Sequence, residues 1–179
     1  MPATARSQST DPFSMNKFHV LDTQGILNLS SPAAGFNTCT SPELTLGIAE
    51  YQEGIEAYRR KYPGEPTVTP VTLTKGIVKT DTTFYQWVLA GAENQPYRTN
   101  LIIRHYHRDD VTGLVNYQTA ISTRELRLAQ ALPSRVKMGN DFDSTAADIS
   151  IEDIDIEYES LRLFVNGVEI KSLTTGSQS

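Results

Sequence analysis

The chain has 179 residues, 39% of them hydrophobic, and a formal net charge of −5 from 16 basic and 21 acidic side chains. This is enough for one domain with a hydrophobic core, and it argues against wholesale disorder. No apolar run approaches about 18 residues, which argues against an integral membrane protein. The negative charge argues against a protein that coats nucleic acid through phosphate contacts. A single cysteine excludes an internal disulfide framework and a cysteine-cluster zinc site.

The two ends of the chain are small and polar. We expect flexible tails over residues 1–14 and 172–179, on either side of one domain spanning 15–171. No secretory signal is recognisable at the N-terminus, so we expect a soluble protein made in the cytoplasm.

The first half of the domain is predicted to consist of strands. A short strand is expected over Lys17–Leu21, and alternating apolar residues over Glu43–Tyr51 predict a half-buried strand. The charged stretch Ile55–Pro66, broken by proline and glycine, is expected to be a long exposed loop. The β-branched residues of Thr67–Lys79 favour another strand.

One helix is predicted after these strands. Thr80 or Asp81 can cap its N-terminus, and Gly91 is expected to end it at the C′ position. Three apolar side chains share one helical face: Phe84, Trp87 and Val88.

The second half again alternates strands and turns. The dipeptide Asn166–Gly167 is typical of a hairpin turn before a last strand over Val168–Ile170. The other expected strands are Asn100–Arg108, Gly113–Ser122, Arg124–Leu132 ending at Pro133, and, after a loop over Ser134–Ala147, Asp148–Val165. About eight strands and one helix predict a mainly β protein, a β-barrel or two-sheet sandwich with one flanking α-helix.

Residues 141–160 hold eight acids and no lysine or arginine, whereas the rest of the chain has 13 acids and 16 bases. Isoleucines alternate with these acids, with a slip of one residue at Glu152–Asp153 that suggests a β-bulge. The segment is therefore expected to be a strand with one apolar face and one face of carboxylates, and a solvated sheet face is its simplest interpretation.

No catalytic constellation emerges from the residues. His105, His107 and Asp109 share one face of an expected strand, but a metal site needs further converging ligands, and two interleaved arginines oppose a cation. Cys39 has no local histidine to activate it as a nucleophile. We therefore expect no enzyme activity, no metal and no cofactor. A metal-dependent enzyme using the two histidines is kept only as a distant alternative.

A series of short segments resembles the tail tube proteins of contractile phages and of phage-like contractile injection systems, which are related to the type VI secretion tube protein. The match departs at Lys75, where arginine is usual, and at Leu132, where tryptophan is usual. In chain order the segments are EYQEG at 50–54, KYPG at 61–64, VTLTKG at 71–76, FYQW at 84–87, ALP at 131–133 and DISIE at 148–152.

The resemblance implies a structural virion protein whose subunits close into hexameric rings, with the rings stacked as the inner tube of a contractile tail. Implied partners are further copies of the chain, the tail sheath, baseplate and terminator proteins, a tape measure protein in the lumen, and DNA in transit, without membrane anchoring. The implied location is the virion tail, assembled in the host cytoplasm. A toxin-delivery tube, a baseplate tube initiator and a monomeric binding module remain alternatives.

In that setting two sets of residues are expected to act in assembly. The basic and aromatic stretch fits a subunit interface, because tyrosine and arginine are favoured there. The acidic strand would line the lumen and repel DNA phosphates, although the arginine-bearing strands could line it instead. The predicted interface residues are Glu50, Tyr51, Gly54, Tyr58, Arg59, Arg60 and Tyr62, and the predicted lumen residues are Glu152 (or Asp153), Asp155, Glu157 and Glu159.

Overall fold

The protein was studied as a computed structural model. The structure describes residues 18–27, 35–52, 54, 58–78, 81–106, 124–140 and 148–170. Both expected tails and the expected strand Gly113–Ser122 lie outside these residues, as do His107 and Asp109.

Ten strands and one helix, α1 (Thr83–Ala92), make up the described part of the chain. The strands are β1 (Phe18–Asp22), β2 (Thr38–Cys39), β3 (Leu44–Tyr51), β4 (Arg60–Val68), β5 (Val71–Gly76), β6 (Thr99–His105), β7 (Arg124–Lys137), β8 (Ile151–Glu157), β9 (Ser160–Val165) and β10 (Val168–Glu169). The prediction of a mainly β protein with one helix is confirmed.

Eight strands form one antiparallel sheet, and the long strand β7 bends it into two halves. The first half-sheet contains β1, β6, the N-terminal part of β7, β9 and β10, and the second contains the C-terminal part of β7, then β8, β5 and β2. Gln130 adopts φ 54° where the two parts of β7 meet, and the register shifts there. Because the strand continues through Pro133 to Lys137, the predicted strand end at Pro133 and the loop predicted from Ser134 are both wrong.

The hydrophobic core lies between the two half-sheets. Five strands, β1, β5, β6, β7 and β8, contribute buried side chains to it, in keeping with the period of two along a strand. The helix closes the core with Phe84 and Trp87, and the indole Nε1 of Trp87 donates a hydrogen bond to the carbonyl of Tyr97. The buried strand residues of the core are Val20, Leu101, Ile103, Leu128, Ala131, Val71, Leu73, Ile154 and Ile156.

The helix differs from the prediction at both ends. Its N-cap is Thr82, and the carboxylate of Asp81 accepts a hydrogen bond from the backbone N–H of Thr83. Gly91 lies inside the last turn, and Glu93 is the C-cap, so the C′ position predicted at Gly91 is wrong by three residues and is held by Asn94, with φ 55°. The hairpin turn is confirmed, because Asn166 and Gly167 both have positive φ, as a type I′ turn requires.

Candidate assembly surfaces

Strands β3 and β4 form a separate two-stranded hairpin, and neither strand pairs with a strand of the large sheet. Every residue of β3 is exposed, so the predicted strand is confirmed but its predicted half-burial is wrong for the isolated chain. The predicted loop Ile55–Pro66 is also wrong from Arg60 onwards, because that part is strand β4. A two-stranded hairpin is marginally stable by itself in water, so this one is expected to gain stability from a covering partner.

One face of the hairpin is apolar; its side chains on β3 are exposed, whereas Val68 on β4 is half-buried and packs against the core. Leu44, Leu46 and Ile48 alternate along β3 and are 47%, 51% and 60% exposed. Their register partners on β4 are Val68, Pro66 and Pro63. Contiguous apolar side chains of this kind on a protein surface mark an interaction site.

Two glycines let the hairpin strands approach closely at its register shift, between Leu46 and Ile48. A Cβ atom on Gly47 would lie 3.1 Å from the carbonyl oxygen of Glu65, and one on Gly64 would lie 3.1 Å from the carbonyl oxygen of Gly47. Both contacts are with backbone atoms, which cannot move aside without separating the strands. The close approach of the two backbones at the register shift therefore favours glycine at both positions.

The predicted interface residues all lie at the far end of this hairpin, and all are exposed. Glu50 forms ion pairs with Arg59, at 3.1 Å, and with Lys61, at 4.0 Å. Tyr58 is 85% exposed. The structure therefore groups the seven predicted residues on one arm, and their role in an interface stays a prediction. They are Glu50 and Tyr51 on β3, Gly54, Tyr58 and Arg59 between the strands, and Arg60 and Tyr62 on β4.

The acidic strand β8 is regular where a bulge was predicted. Its register against β5 continues without a shift from Ile151 to Ile156. Strand parity therefore places Glu152 on the core face with Ile154, where it is 8% exposed and pairs with Lys75 Nζ at 3.2 Å. The predicted bulge is wrong, and Glu152 does not belong to the carboxylate face.

Lys75 is itself almost fully buried, at 4% exposure. Its Nζ lies 2.5 Å from Asp81 Oδ2 and 4.1 Å from the ring centre of Phe84. Although burial would raise the pKa of Asp81, hydrogen bonds from Lys75 and Thr83 hold it below its usual value. This cluster joins β5, β8 and the segment that leads into α1.

The outward face of β8 carries Asp153 and Asp155, and both carboxylates contact one arginine. Arg135 on β7 lies 2.9 Å from Asp153 and 2.5 Å from Asp155. The hydrogen bond from Arg135, with another from Thr72, lowers the pKa of Asp155. The carboxylates on this face are thus partly neutralised within the subunit.

The last two predicted lumen residues, Glu157 and Glu159, differ in position and in ion pairing. Glu157 is exposed at the end of β8, and Glu159 follows in the turn to β9, where it pairs with Arg98. The composition of residues 141–160 alone could not reveal Arg135 or Arg98, because both pairings depend on which strands are neighbours.

The described residues contain no group of three or more histidine, cysteine, aspartate or glutamate side chains that could hold a metal ion. Burial raises the pKa of the Cys39 thiol to about 12, which opposes its use as a nucleophile. Within the same residues, no helix is long and apolar enough to cross a membrane.

The fold is shared with components of contractile injection systems. A chain in the PVC sheath–tube complex in its extended state superposes with a TM-score of 0.70, at 19% identity, covering 92% of this chain and 99% of that one. A chain of the anti-feeding prophage baseplate gives a TM-score of 0.68 at 15% identity, covering 89% and 99%. One in the anti-feeding prophage tube-terminating cap gives 0.68 at 18% identity, covering 92% and 99%.

In sequence, no curated protein matches this chain. The family model of the T4-like virus tail tube protein gp19, however, matches residues 16–162. That span contains the strands of both half-sheets up to the middle of β9, the helix and the whole β3–β4 hairpin. The chain therefore belongs to the T4-like virus tail tube protein gp19 family.

Proposed function

We propose that this protein self-assembles into hexameric rings that stack as the inner tube of a contractile tail, forming a conduit for DNA and having no catalytic role. The observation that carries the proposal is the β3–β4 hairpin, whose apolar face is exposed and lies outside the large sheet. A second copy that covers this face would bury Leu44, Leu46 and Ile48 and remove the exposed surface. Membership of a tail tube family supports the same partner.

Closed rings also account for strand edges that have no partner strand among the described residues. Strands β1 and β10 end the first half-sheet, and the two-residue strand β2 ends the second. Contacts between unlike surfaces of identical subunits close into a ring, and their repetition along an axis gives a tube. By analogy with chains in sheath–tube, baseplate and cap complexes, the other proposed partners are a sheath, a baseplate and a terminator. We also propose a tape measure protein in the lumen and the virion tail as the location, as the resemblance to phage tail tubes implies.

Replacing Ile48 with aspartate is expected to abolish assembly and to leave the isolated subunit folded, because Ile48 is 60% exposed in the subunit. Burying the new carboxylate at a contact between copies would be strongly unfavourable. Sedimentation and electron microscopy measure assembly, and circular dichroism measures folding.

Val168→Asp is the matched control, since Val168 is an exposed apolar residue, 64% exposed, on β10 and away from the hairpin. It should assemble like the unmodified protein. If Ile48→Asp assembled equally well, the hairpin would not be an interface.

We further propose that the outward face of the second half-sheet lines the lumen, with Asp153, Asp155, Glu157 and Glu159 as its acidic residues. Arg135 partly neutralises Asp153 and Asp155, and Arg98 pairs with Glu159, which leaves a polar, acidic surface to which DNA phosphates would not adhere. Glu152 is left out of this proposal because it faces the core.

Labelling of a Glu157→Cys variant in a Cys39→Ser background tests this location. In the dissociated protein, both a small maleimide and a maleimide on a large polymer should react with the new thiol. In assembled tubes the small reagent should still react and the polymer should not, because only the small one enters a narrow bore. Equal labelling by the polymer in tubes would place Glu157 on the outside.

A further inference from the structure

The outward face of the first half-sheet carries two arginines directly opposite each other. Arg127 on β7 and Arg162 on β9 are register partners, and the same row continues through Ile102 on β6 to Leu21 on β1. This row contains no carboxylate. Like charges directly opposite on one sheet face destabilise the pairing; Glu125 offsets the charge of Arg127, and a bound anion would offset that of Arg162.

Arg127 is held in place by its neighbours. Its Nη2 and Nε donate hydrogen bonds to Glu125, at 2.9 Å and 3.2 Å, and its guanidinium lies 3.8 Å from the ring centre of Phe164. Glu125 also accepts a hydrogen bond from Arg104 at 2.9 Å. One buried carboxylate therefore sits between two guanidiniums, and Arg162 adds a third cation beside them.

The next row along this face consists of small or uncharged residues, which leaves a cleft of about 310 Å³ beside the two arginines. Thr23, Asn100 and Ala129 line it together with Arg127 and Arg162. Asn100 Oδ1 accepts a hydrogen bond from the backbone N–H of Gln130 at 3.0 Å, which fixes the amide and leaves its Nδ2 group to donate. The exposed side chain of Arg162 and the amide of Asn100 thus offer hydrogen-bond donors at a concave site, which Arg127 also lines while its guanidinium contacts Glu125 and Phe164.

We propose that this cleft binds an acidic side chain of a second copy of the chain, as an intersubunit ion pair of the assembled tube. The inference rests on the self-assembly proposed above. A carboxylate or a phosphate would satisfy the same donors, and the chemistry of the chain favours the carboxylate. Each copy carries a net charge of −5, so acidic side chains are abundant in any assembly. Nucleic-acid binding depends on many contacts between basic side chains and phosphates, and this cleft offers only two arginines on a protein of net negative charge.

Charge reversal at Arg162 tests the proposal. Arg162→Glu should raise the critical concentration for tube formation about tenfold or more, because it places a carboxylate opposite the incoming one. Arg162→Gln should raise it less, and Arg162→Lys should restore most of the assembly. The control is Lys137→Glu, which makes the same change of charge at an exposed position of the second half-sheet, and it should assemble normally.

A second variant keeps the test independent of Arg162. Asn100→Asp retains the acceptor for Gln130 but replaces the amide donor with a carboxylate, and it should also raise the critical concentration. Inorganic phosphate, compared with chloride at equal ionic strength, should weaken assembly of the unmodified protein more than assembly of Arg162→Gln. Melting temperatures of the dissociated variants exclude unfolding as the cause.

Three results would overturn the inference. One is normal assembly of Arg162→Glu and Asn100→Asp, and another is equal sensitivity of Lys137→Glu. The third is retention of short duplex DNA that Arg162→Glu loses without any change in tube formation, which would identify a nucleic-acid site. If the unmodified protein formed no tubes at all, the proposed function itself would fail, which is a separate result.

Discussion

Replacing Trp87 with alanine is expected to lower the free energy of unfolding by about 3–5 kcal/mol, as for other large core truncations. The indole is 2% exposed, belongs to the hydrophobic core, and donates a hydrogen bond to the carbonyl of Tyr97. Its removal would leave a cavity and an unpaired carbonyl. Urea denaturation of the dissociated subunit measures the loss of stability. Unfolding is followed by far-ultraviolet circular dichroism, because Trp87 is the only tryptophan and the variant lacks its fluorescence.

Leu89→Ala provides the control within the same helix. Leu89 is 37% exposed and is not part of the buried core, so its truncation should cost about 1 kcal/mol or less. A similar decrease in the free energy of unfolding for Trp87→Ala and Leu89→Ala would mean that the helix does not close the core as described.

Replacing Lys75 with alanine is expected to cost about 3–5 kcal/mol, because it leaves the buried carboxylate of Glu152 without its cation. Lys61→Ala is the control, since Lys61 forms only an exposed pair with Glu50 and should cost no more than about 1 kcal/mol. The double variant Lys75→Met/Glu152→Leu should recover most of the lost stability by replacing charge with apolar packing. Failure to recover would assign the loss to packing around Phe84 instead of to the charge.

The same cluster predicts the direction of the pH dependence. The pKa of Asp81 is lower in the folded protein than its ordinary value of 3.8, so its stabilising contribution is complete above that pH. The contribution is lost as the pH falls through the lowered value. Stability of the unmodified protein should therefore decline below about pH 4, and Lys75→Ala should show a shallower decline.

Local sequence patterns predicted most of the strands and the helix, but not which other elements each of them pairs with or packs against. Alternation correctly indicated a strand from Leu44, and the dipeptide Asn166–Gly167 correctly indicated a hairpin turn. The same alternation could not show that β3 pairs outside the large sheet, because burial depends on distant parts of the chain. Proline predicts a strand end at Pro133, yet β7 passes through it at a register shift, where proline is tolerated.

The candidate surfaces were located only in part. The basic and aromatic residues of the arm stand out in the sequence, and all seven predicted residues lie on one hairpin, while their role in an interface stays a prediction. The error at Glu152 arose from reading a slip in the isoleucine pattern as a bulge, when the strand instead buries a charge against Lys75. The arginine pair at Arg127 and Arg162 was not foreseen as a pair, because 35 positions of sequence separate two residues that the register makes neighbours.

Negative-stain electron microscopy of the purified protein, over a series of concentrations and salt conditions, tests self-assembly into a tube most directly. We expect rings with sixfold symmetry at low concentration and hollow tubes of uniform width at higher concentration, nucleated by a baseplate extract if they do not form spontaneously. Small particles alone, under every condition and with the baseplate extract added, would contradict self-assembly into a tube.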